Sequence, residues 1–494
     1  MSDIQMQNLA LAQTLAPAAV MQHFAAISNI PRGSGNERGV ADHLVAFAEK
    51  NGLFCYRDEA NNVLIKAPAT PGRENAPALL LQGHTDMVCE KNADTVHDFE
   101  NDPIRLMVDG EWLCADGTTL GGDNGIAVSY MMAILESKEI SHPALECLFT
   151  TSEEVGMEGI VAFDHSLLTA RHMVNLDSEG EGLITAGCAG GVRTDLFLPT
   201  PRTMPGEGDA YVKVTLSGLC GGHSGEDINR GRTGANVLLV RMLKALREQE
   251  SFSLVTLSGG SKDNAIPREC EAVVCLPAER IAPFAMAAML LADTLAEELV
   301  DDDRECVVNV ERVAAEDVGY APMDADATTR VLCTIGIVPQ GVLKMSSRME
   351  KMVEYSRNVG VIRTEESGVK ITMTSRSGIE SQLDHAEQSL TGLAALAGGT
   401  VTHRNRYPGW DFAPVSRVRQ AYIEAFTAQL GYEPQVIAIH AGLESGYLKK
   451  KLPDMDIIAV GPDMKDLHSP DEKFHLPSLE RVWKVLLHLL AHWE

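Results

Sequence analysis

A chain of 494 residues exceeds the ~250–300 residues at which single hydrophobic cores stop growing, so two domains are the starting expectation. Hydrophobic residues at 45% and charged residues at 22% exclude a disordered chain, and no apolar run approaches the ~18 residues that span a bilayer. The formal net charge of −27 repels a phosphate backbone and, with no basic face visible, argues against nucleic acid as a partner.

In chain order, Met1–Ile30 carries Asp3 and no basic cluster ahead of its apolar stretch. It lacks the charge order of a secretory signal and reads as an amphipathic helix of the mature protein. Ten cysteines are scattered between Cys55 and Cys333 without a CxxC pair, which argues against a zinc ribbon or a disulfide framework and for a reducing cytoplasm. From Pro17 to Gly190, helical stretches such as Glu37–Gly52 alternate with the short apolar runs Ala78–Leu81, Leu145–Thr150 and His172–Leu176. That is the α/β signature, with the runs as strands of a buried sheet.

The texture changes from Val192. Strand-like Ala210–Ser217, Glu269–Leu276, Glu305–Val313 and Val369–Ser375 are interleaved with helical Gly234–Gln249, Ile281–Leu299 and Gln382–Leu396, resembling two β/α units in tandem. After His403 the first texture returns, with a helix at Pro414–Leu430, a strand at Asp456–Val460 and a final helix at Ser478–His492 capped by Ser478. The expected organisation is a domain in two parts, 1–190 and 403–494, interrupted by an inserted α+β domain over 191–402.

Five segments with acidic or histidine residues stand at strand or turn ends of the outer domain, where open α/β sheets collect ligands. His84 and Asp86 follow the apolar run Leu79–Leu81, spaced so that a carboxylate can reach the imidazole nitrogen left free by a metal. Asp123 lies in Gly121-Gly122-Asp123-Asn124-Gly125, ahead of the apolar helix Ile126–Leu135. It can be a helix cap, or a carboxylate whose two oxygens bridge two cations; the turn lacks the lysine of a phosphate loop. Glu153 and Glu154 follow Leu148–Ser152 and point different ways, so one can bind metal while its neighbour faces substrate. Asp177 ends Met173–Leu176, and His468 sits in Leu467-His468-Ser469-Pro470-Asp471-Glu472. Taken singly, each is a weak signal that a cap, a solvated turn or a loop histidine also explains. Together they supply two histidines and three carboxylates without a thiolate, a donor mixture that suits zinc, cobalt or manganese.

In this order and spacing the HTD, GGDN, EEVG, NLDSE and HSPDE segments resemble those of the metallopeptidase family that contains two-zinc dipeptidases, acylases and glutamate carboxypeptidases. The resemblance runs over nearly the whole chain. YPGW at 407–410, HAGLE at 440–444 and GPDMKDLHSPDE at 461–472 are most similar to the bacterial branch that cleaves aminoacyl-histidine dipeptides.

The resemblance implies a zinc-peptidase-like catalytic domain with a mixed sheet, the inserted domain acting as a lid. It implies two divalent cations, zinc or else cobalt or manganese. His84 and Asp177 would hold one, Glu154 and His468 the other, and Asp123 would bridge them. Asp86 would orient His84, Glu153 would be the general base, and water between the cations the nucleophile. His223, in Gly221-Gly222-His223-Ser224-Gly225, reads as a flexible loop residue and by resemblance as the oxyanion donor, supplied in cis by so long an insert or from the partner of a homodimer. Asn264, Arg376 and Gly442 match positions that contact the substrate's terminal carboxylate. The substrates implied are small peptides such as β-Ala-His. An N-acyl amino acid deacylase, a tripeptidase or an inactive metal-binding scaffold are the alternatives.

Overall fold

The apolar runs Leu79–His84, Leu145–Thr150 and His172–Asn175 lie side by side as parallel strands, with Leu79–His84 in the middle. A computed structural model of the chain describes the backbone of all 494 residues and every side chain except that of Asp302. Tertiary contacts divide the chain into two units. The first comprises Met1–Gly187, Phe412–Ala438 and Leu443–Glu494; the second comprises Cys188–Asp411 and Ile439–Gly442.

The first unit is built on an eight-stranded mixed sheet. Beyond the three central strands, Val63–Ala67 and Phe54–Arg57 extend one side antiparallel, and Asp456–Ala459 joins His172–Asn175 in parallel on the other. After Leu79–His84 the chain goes first to the strand on one side and then to the strand on the other. The carboxyl end of that middle strand is therefore a topological switch point, where side chains from several connections converge. The helix Gly122–Glu136 is buried from Asn124 to Leu135, consistent with a sequence apolar on every side. It packs close because Gly83 has no Cβ: one there would fall 2.3 Å from Asn124 Oδ1 and 2.4 Å from Ala127 Cβ.

Two expected elements of this unit differ. The N-terminal stretch is two helices, Asp3–Ala12 and Ala18–Ser28, because Pro17 has no N–H to continue the first and instead stands at the N-cap of the second. The final helix begins at Leu476, with Pro477 in its first turn, so Ser478 is internal; its Oγ accepts from the Asp463 N–H at 2.8 Å.

In the second unit the strands expected to form two β/α units share one antiparallel nine-stranded sheet. Val307–Val313, Asp209–Ser217, Cys270–Pro277 and Ser253–Gly259 make one group; Val353–Thr364, Gly368–Ser377, Gly190–Pro199 and Thr400–Tyr407 make the other, with Gly341–Met345 as the ninth strand beside Val353–Thr364. The groups join where Gly259 pairs with Ile362. Thr400–Tyr407 crosses residue 402 and pairs with Gly190–Pro199, so the second unit runs on to Asp411. His223 is not in a free turn: Gly222–His223 forms a short ladder with Ala265–Ile266. Among the described residues no helix is long and apolar enough to cross a membrane.

Candidate metal centre and its surroundings

The five ligand candidates all belong to the first unit. His84 ends the middle strand, Asp177 lies two residues beyond Asn175, and Glu154 lies in the single helical turn Glu153–Gly156 that follows Leu145–Thr150. Asp123 sits at the mouth of its helix in a non-helical conformation, φ −80° and ψ 109°. His468 lies between the short paired strands Met464–Lys465 and Lys473–His475 at φ 59°, a left-handed conformation that costs a non-glycine residue about 1–2 kcal/mol.

Asp123 faces both histidines, one with each oxygen. His84 Nε2 is 3.1 Å from Asp123 Oδ1 and 3.6 Å from Asp177 Oδ1. His468 Nε2 is 3.3 Å from Asp123 Oδ2 and 3.1 Å from Glu154 Oε2. These are two donor sets sharing one carboxylate. Charge-assisted hydrogen bonds between such groups run at about 2.7–2.9 Å, whereas donors on a tetrahedral zinc at ~2.0–2.1 Å lie about 3.3 Å apart, so the spacing fits ligation better than ion pairing. Glu154 Oε1, buried and without a hydrogen-bond partner, fits a metal ligand as well.

Electrostatics give the same reading. Against its own burial, His84 is pushed well above the usual histidine range by Asp123, Asp177 and Asp86. Hydrogen bonds to Asp123 and Glu154 push His468 up to about 11. Burial, reinforced by Asp123, Glu153 and Glu154, pushes Asp177 well above the carboxylate range. So much negative charge in one cluster is relieved by cations. Burial, with Glu444, Glu154 and Asp123 adding to it and His84 opposing, holds Glu153 up at about 8. Neither His84 Nε2 nor His468 Nε2 is paired with the Glu153 carboxylate.

A tier of groups behind the ligand candidates fixes them. Asp86 Oδ1 is 3.4 Å from His84 Nδ1; the Asp86 carboxylate also accepts from Ser34 Oγ at 2.8 Å and from the Glu153 and Glu154 N–H groups at 3.1 and 3.2 Å. Burial opposes ionisation of Asp86, yet His84, Ser34 and the Glu153 amide together hold it below the usual carboxylate range. Three residues here escaped the sequence reading. Glu472 accepts four backbone N–H groups, from Leu120 and Gly122 at 2.8 Å, Gly121 at 3.1 Å and Asp123 at 3.3 Å, which ties the Asp123 turn to the His468 loop. Buried Arg32 donates to the carbonyls of Thr85 and Asp86 at 3.0 and 3.2 Å, and to that of Gly121. Glu37 accepts from Ser152 N at 3.0 Å. Glu472 stands inside the HSPDE segment, so its acidity beside a candidate ligand histidine was a usable signal; Arg32 and Glu37 offer none locally.

The other candidates belong to the second unit. Ser224 N donates to the Asn264 carbonyl at 2.8 Å, next to the ladder that holds His223. Arg376 is buried; it donates to the Tyr407 hydroxyl at 2.7 Å while its Nε has no partner. Ser356, its cross-strand neighbour, places Oγ 2.7 Å from His440 Nε2. Burial and then Arg376 lower both His223 and His440, the latter to about 3. Gly442 lies in the segment Ile439–Gly442 of this unit.

The His440 shift has a measurable sign. Below pH ~6.5 the unfolded chain takes up a proton that folded His440 refuses, so its contribution is intact above ~6.5 and is lost as pH falls toward 3, at up to about 1.4 kcal/mol per pH unit. His440→Gln is expected to flatten the acid limb of unfolding free energy against pH. Parallel wild-type and variant curves would refute the assignment.

The family model for Peptidase family M20/M25/M40 matches residues 80–492, a span that contains the five ligand candidates. The chain belongs to this family. As a member of M20/M25/M40 it is a metallopeptidase, and its mixed α/β architecture is the family's. The Escherichia coli (strain K12) cytosol non-specific dipeptidase is 38% identical over 476 residues, 96% of this chain and 98% of that protein. The crystal structure of aminoacylhistidine dipeptidase from Vibrio alginolyticus superposes with a TM-score of 0.93 at 39% identity, covering 98% of each chain. Bacillus cereus aminopeptidase PepT, at 14% identity with 97% of this chain and 98% of that one covered, shares the fold with a TM-score of 0.56.

Proposed function

We propose that this M20/M25/M40 peptidase hydrolyses dipeptides, with aminoacyl-histidine substrates such as β-Ala-His among them, at a pair of divalent cations, zinc by preference. The observation that carries the reading is the Asp123 carboxylate, with one oxygen toward each of two histidine-carboxylate pairs. In this proposal His84 and Asp177 hold one cation, Glu154 and His468 the other, and Asp123 both. The cations, when bound, supply Lewis acidity, lowering the pKa of water from 15.7 toward ~7 and polarising the scissile carbonyl.

The protein's own groups do the rest. Glu153 accepts a proton as water adds to the carbonyl carbon, then delivers it to the nitrogen as the C–N bond breaks; an elevated pKa suits both halves of that transfer. Asp86 fixes the ring orientation of His84. From the second unit, His223 is assigned to the developing oxyanion, and Arg376, Asn264 and Gly442 to the substrate's terminal carboxylate. A guanidinium with a free Nε supports that assignment.

The two bacterial relatives carry names that differ in breadth, one non-specific and one for aminoacyl-histidine. A panel of β-Ala-His, Gly-His, Leu-Gly, a tripeptide and an N-acetyl amino acid, assayed before and after EDTA, separates the possibilities. Dipeptides are expected to be cleaved, chelation to abolish turnover, and zinc, cobalt or manganese to restore it. Preference for the tripeptide or the N-acetyl compound, or turnover indifferent to EDTA, would overturn the proposal.

A further inference from the structure

Beneath the ligands a closed belt of buried polar side chains crosses the three central strands of the first unit. Glu444, the first residue of the helix Glu444–Lys451, is its hub. Glu444 Oε2 accepts from Gln82 Nε2 at 2.5 Å and from Thr150 Oγ1 at 2.6 Å. Gln82 Oε1 accepts from Asn175 Nδ2 at 2.5 Å, and Asn175 Oδ1 accepts from Ser445 Oγ at 3.3 Å. Gln82, Thr150, Asn175, Glu444 and Ser445 are all 0% exposed.

Each strand contributes one member, and each member lies just before a ligand. Gln82 precedes His84 by two residues on the same face of its strand, Asn175 precedes Asp177 by two, and Thr150 precedes Glu153 and Glu154. The sheet's own ladders already fix the strands in register, so a polar belt adds little that a packed apolar layer would not. What it adds is direction: hydrogen bonds set the rotation and height of each strand end, which apolar contacts leave loose. Glu444 Oε1 is buried without a hydrogen-bond partner. Burial, with Asp177 and Asp86 adding to it against Thr150 and His84, pushes Glu444 up to about 8, consistent with a neutral acid whose shape and hydrogen bonds glutamine reproduces.

We infer that Glu444 is a positioning residue of the metal centre, aligning the strand ends that deliver His84, Glu154 and Asp177 through its bonds to Gln82 and Thr150. The inference rests on the proposed two-cation reading. Groups hydrogen-bonded to metal ligands typically change metal affinity or turnover about 10–100-fold when removed, and Glu444, one bond further back, is expected at the lower end of that range.

The test compares wild type, Glu444→Leu, Glu444→Gln and Thr150→Val as cobalt-loaded holoenzymes. The readouts are the cobalt absorption spectrum, metal retention against a chelating indicator, and kcat and KM on Gly-His, with far-UV circular dichroism as the folding control. Glu444→Leu is expected to shift the cobalt bands and lower metal affinity or kcat about 10-fold with KM nearly unchanged. Glu444→Gln is expected to restore both, and Thr150→Val, which removes one of the two bonds, to show a smaller loss in the same direction. A folded Leu variant with wild-type spectrum and kcat would overturn the inference, as would a Gln variant as impaired as Leu. If the Leu variant does not fold, Thr150→Val decides: wild-type behaviour there rejects the belt. Wild-type protein that takes up no cobalt would sink the two-cation reading itself, an outcome distinct from any of these.

Discussion

Glu153→Ala is expected to lower kcat by about 10²–10⁴-fold while metal content and KM stay close to wild type. The Glu153 carboxylate is not one of the oxygens arrayed around His84 Nε2 or His468 Nε2, so its removal leaves both donor sets intact. Its main chain is fixed independently of the side chain, by the hydrogen bond from its N–H to Asp86 Oδ1 at 3.1 Å. The side chain is held up at about 8 by burial and neighbouring carboxylates, and bound dications would draw that value down toward neutrality, where a group both accepts and returns a proton. Glu153→Gln should match alanine, because the amide keeps the size and loses the basicity. Steady-state kinetics with elemental analysis checks this. A variant that keeps most of its kcat moves the base elsewhere, and one that loses metal makes Glu153 a ligand.

How far the site could be read in advance follows from the range of the interactions. His84, Glu154 and Asp177 were legible because each is announced locally, by an apolar run that stops and a polar residue just past the stop. Asp123 was legible as a carboxylate before an apolar helix, although the sequence alone left capping as a strong alternative. Glu472 and Glu444 were not assigned, because their partners lie 349–352 and 294–362 residues away and no local pattern encodes such a pairing. The fold divides the same way. Period-two alternation marked the strands of the second unit, but the single sheet depends on Gly259 meeting Ile362, and the reach to Asp411 depends on Thr400–Tyr407 finding Gly190–Pro199. Pro17 and Pro477 are local signals of the opposite kind: Pro17 divides a stretch whose apolar residues run on through it, and Pro477 sets the start of the last helix ahead of Ser478.

Asp123→Ala is expected to reduce metal retention and turnover below detection, and Glu472→Ala to follow partway. Removing the Asp123 side chain takes one oxygen from each histidine set at once, leaving a histidine and a single carboxylate on each side, too few donors for a stable zinc site. Glu472 touches neither histidine. Its two oxygens occupy the N–H groups of Leu120, Gly121, Gly122 and Asp123, and a turn with two glycines has little stiffness of its own. Its loss leaves buried donors without acceptors, at about 1–3 kcal/mol for each that water cannot reach, and lets the Asp123 carboxylate rotate off one of its two sets. Metal affinity should fall about 10–100-fold, together with a lower melting temperature. Glu472→Gln separates the two effects, because its amide retains one acceptor oxygen and so can serve half of the four N–H groups. It is expected to fall between alanine and wild type in both affinity and stability. Wild-type metal affinity in Glu472→Ala would show that the glycine turn holds Asp123 unaided, and the bridging geometry would then owe nothing to the His468 loop.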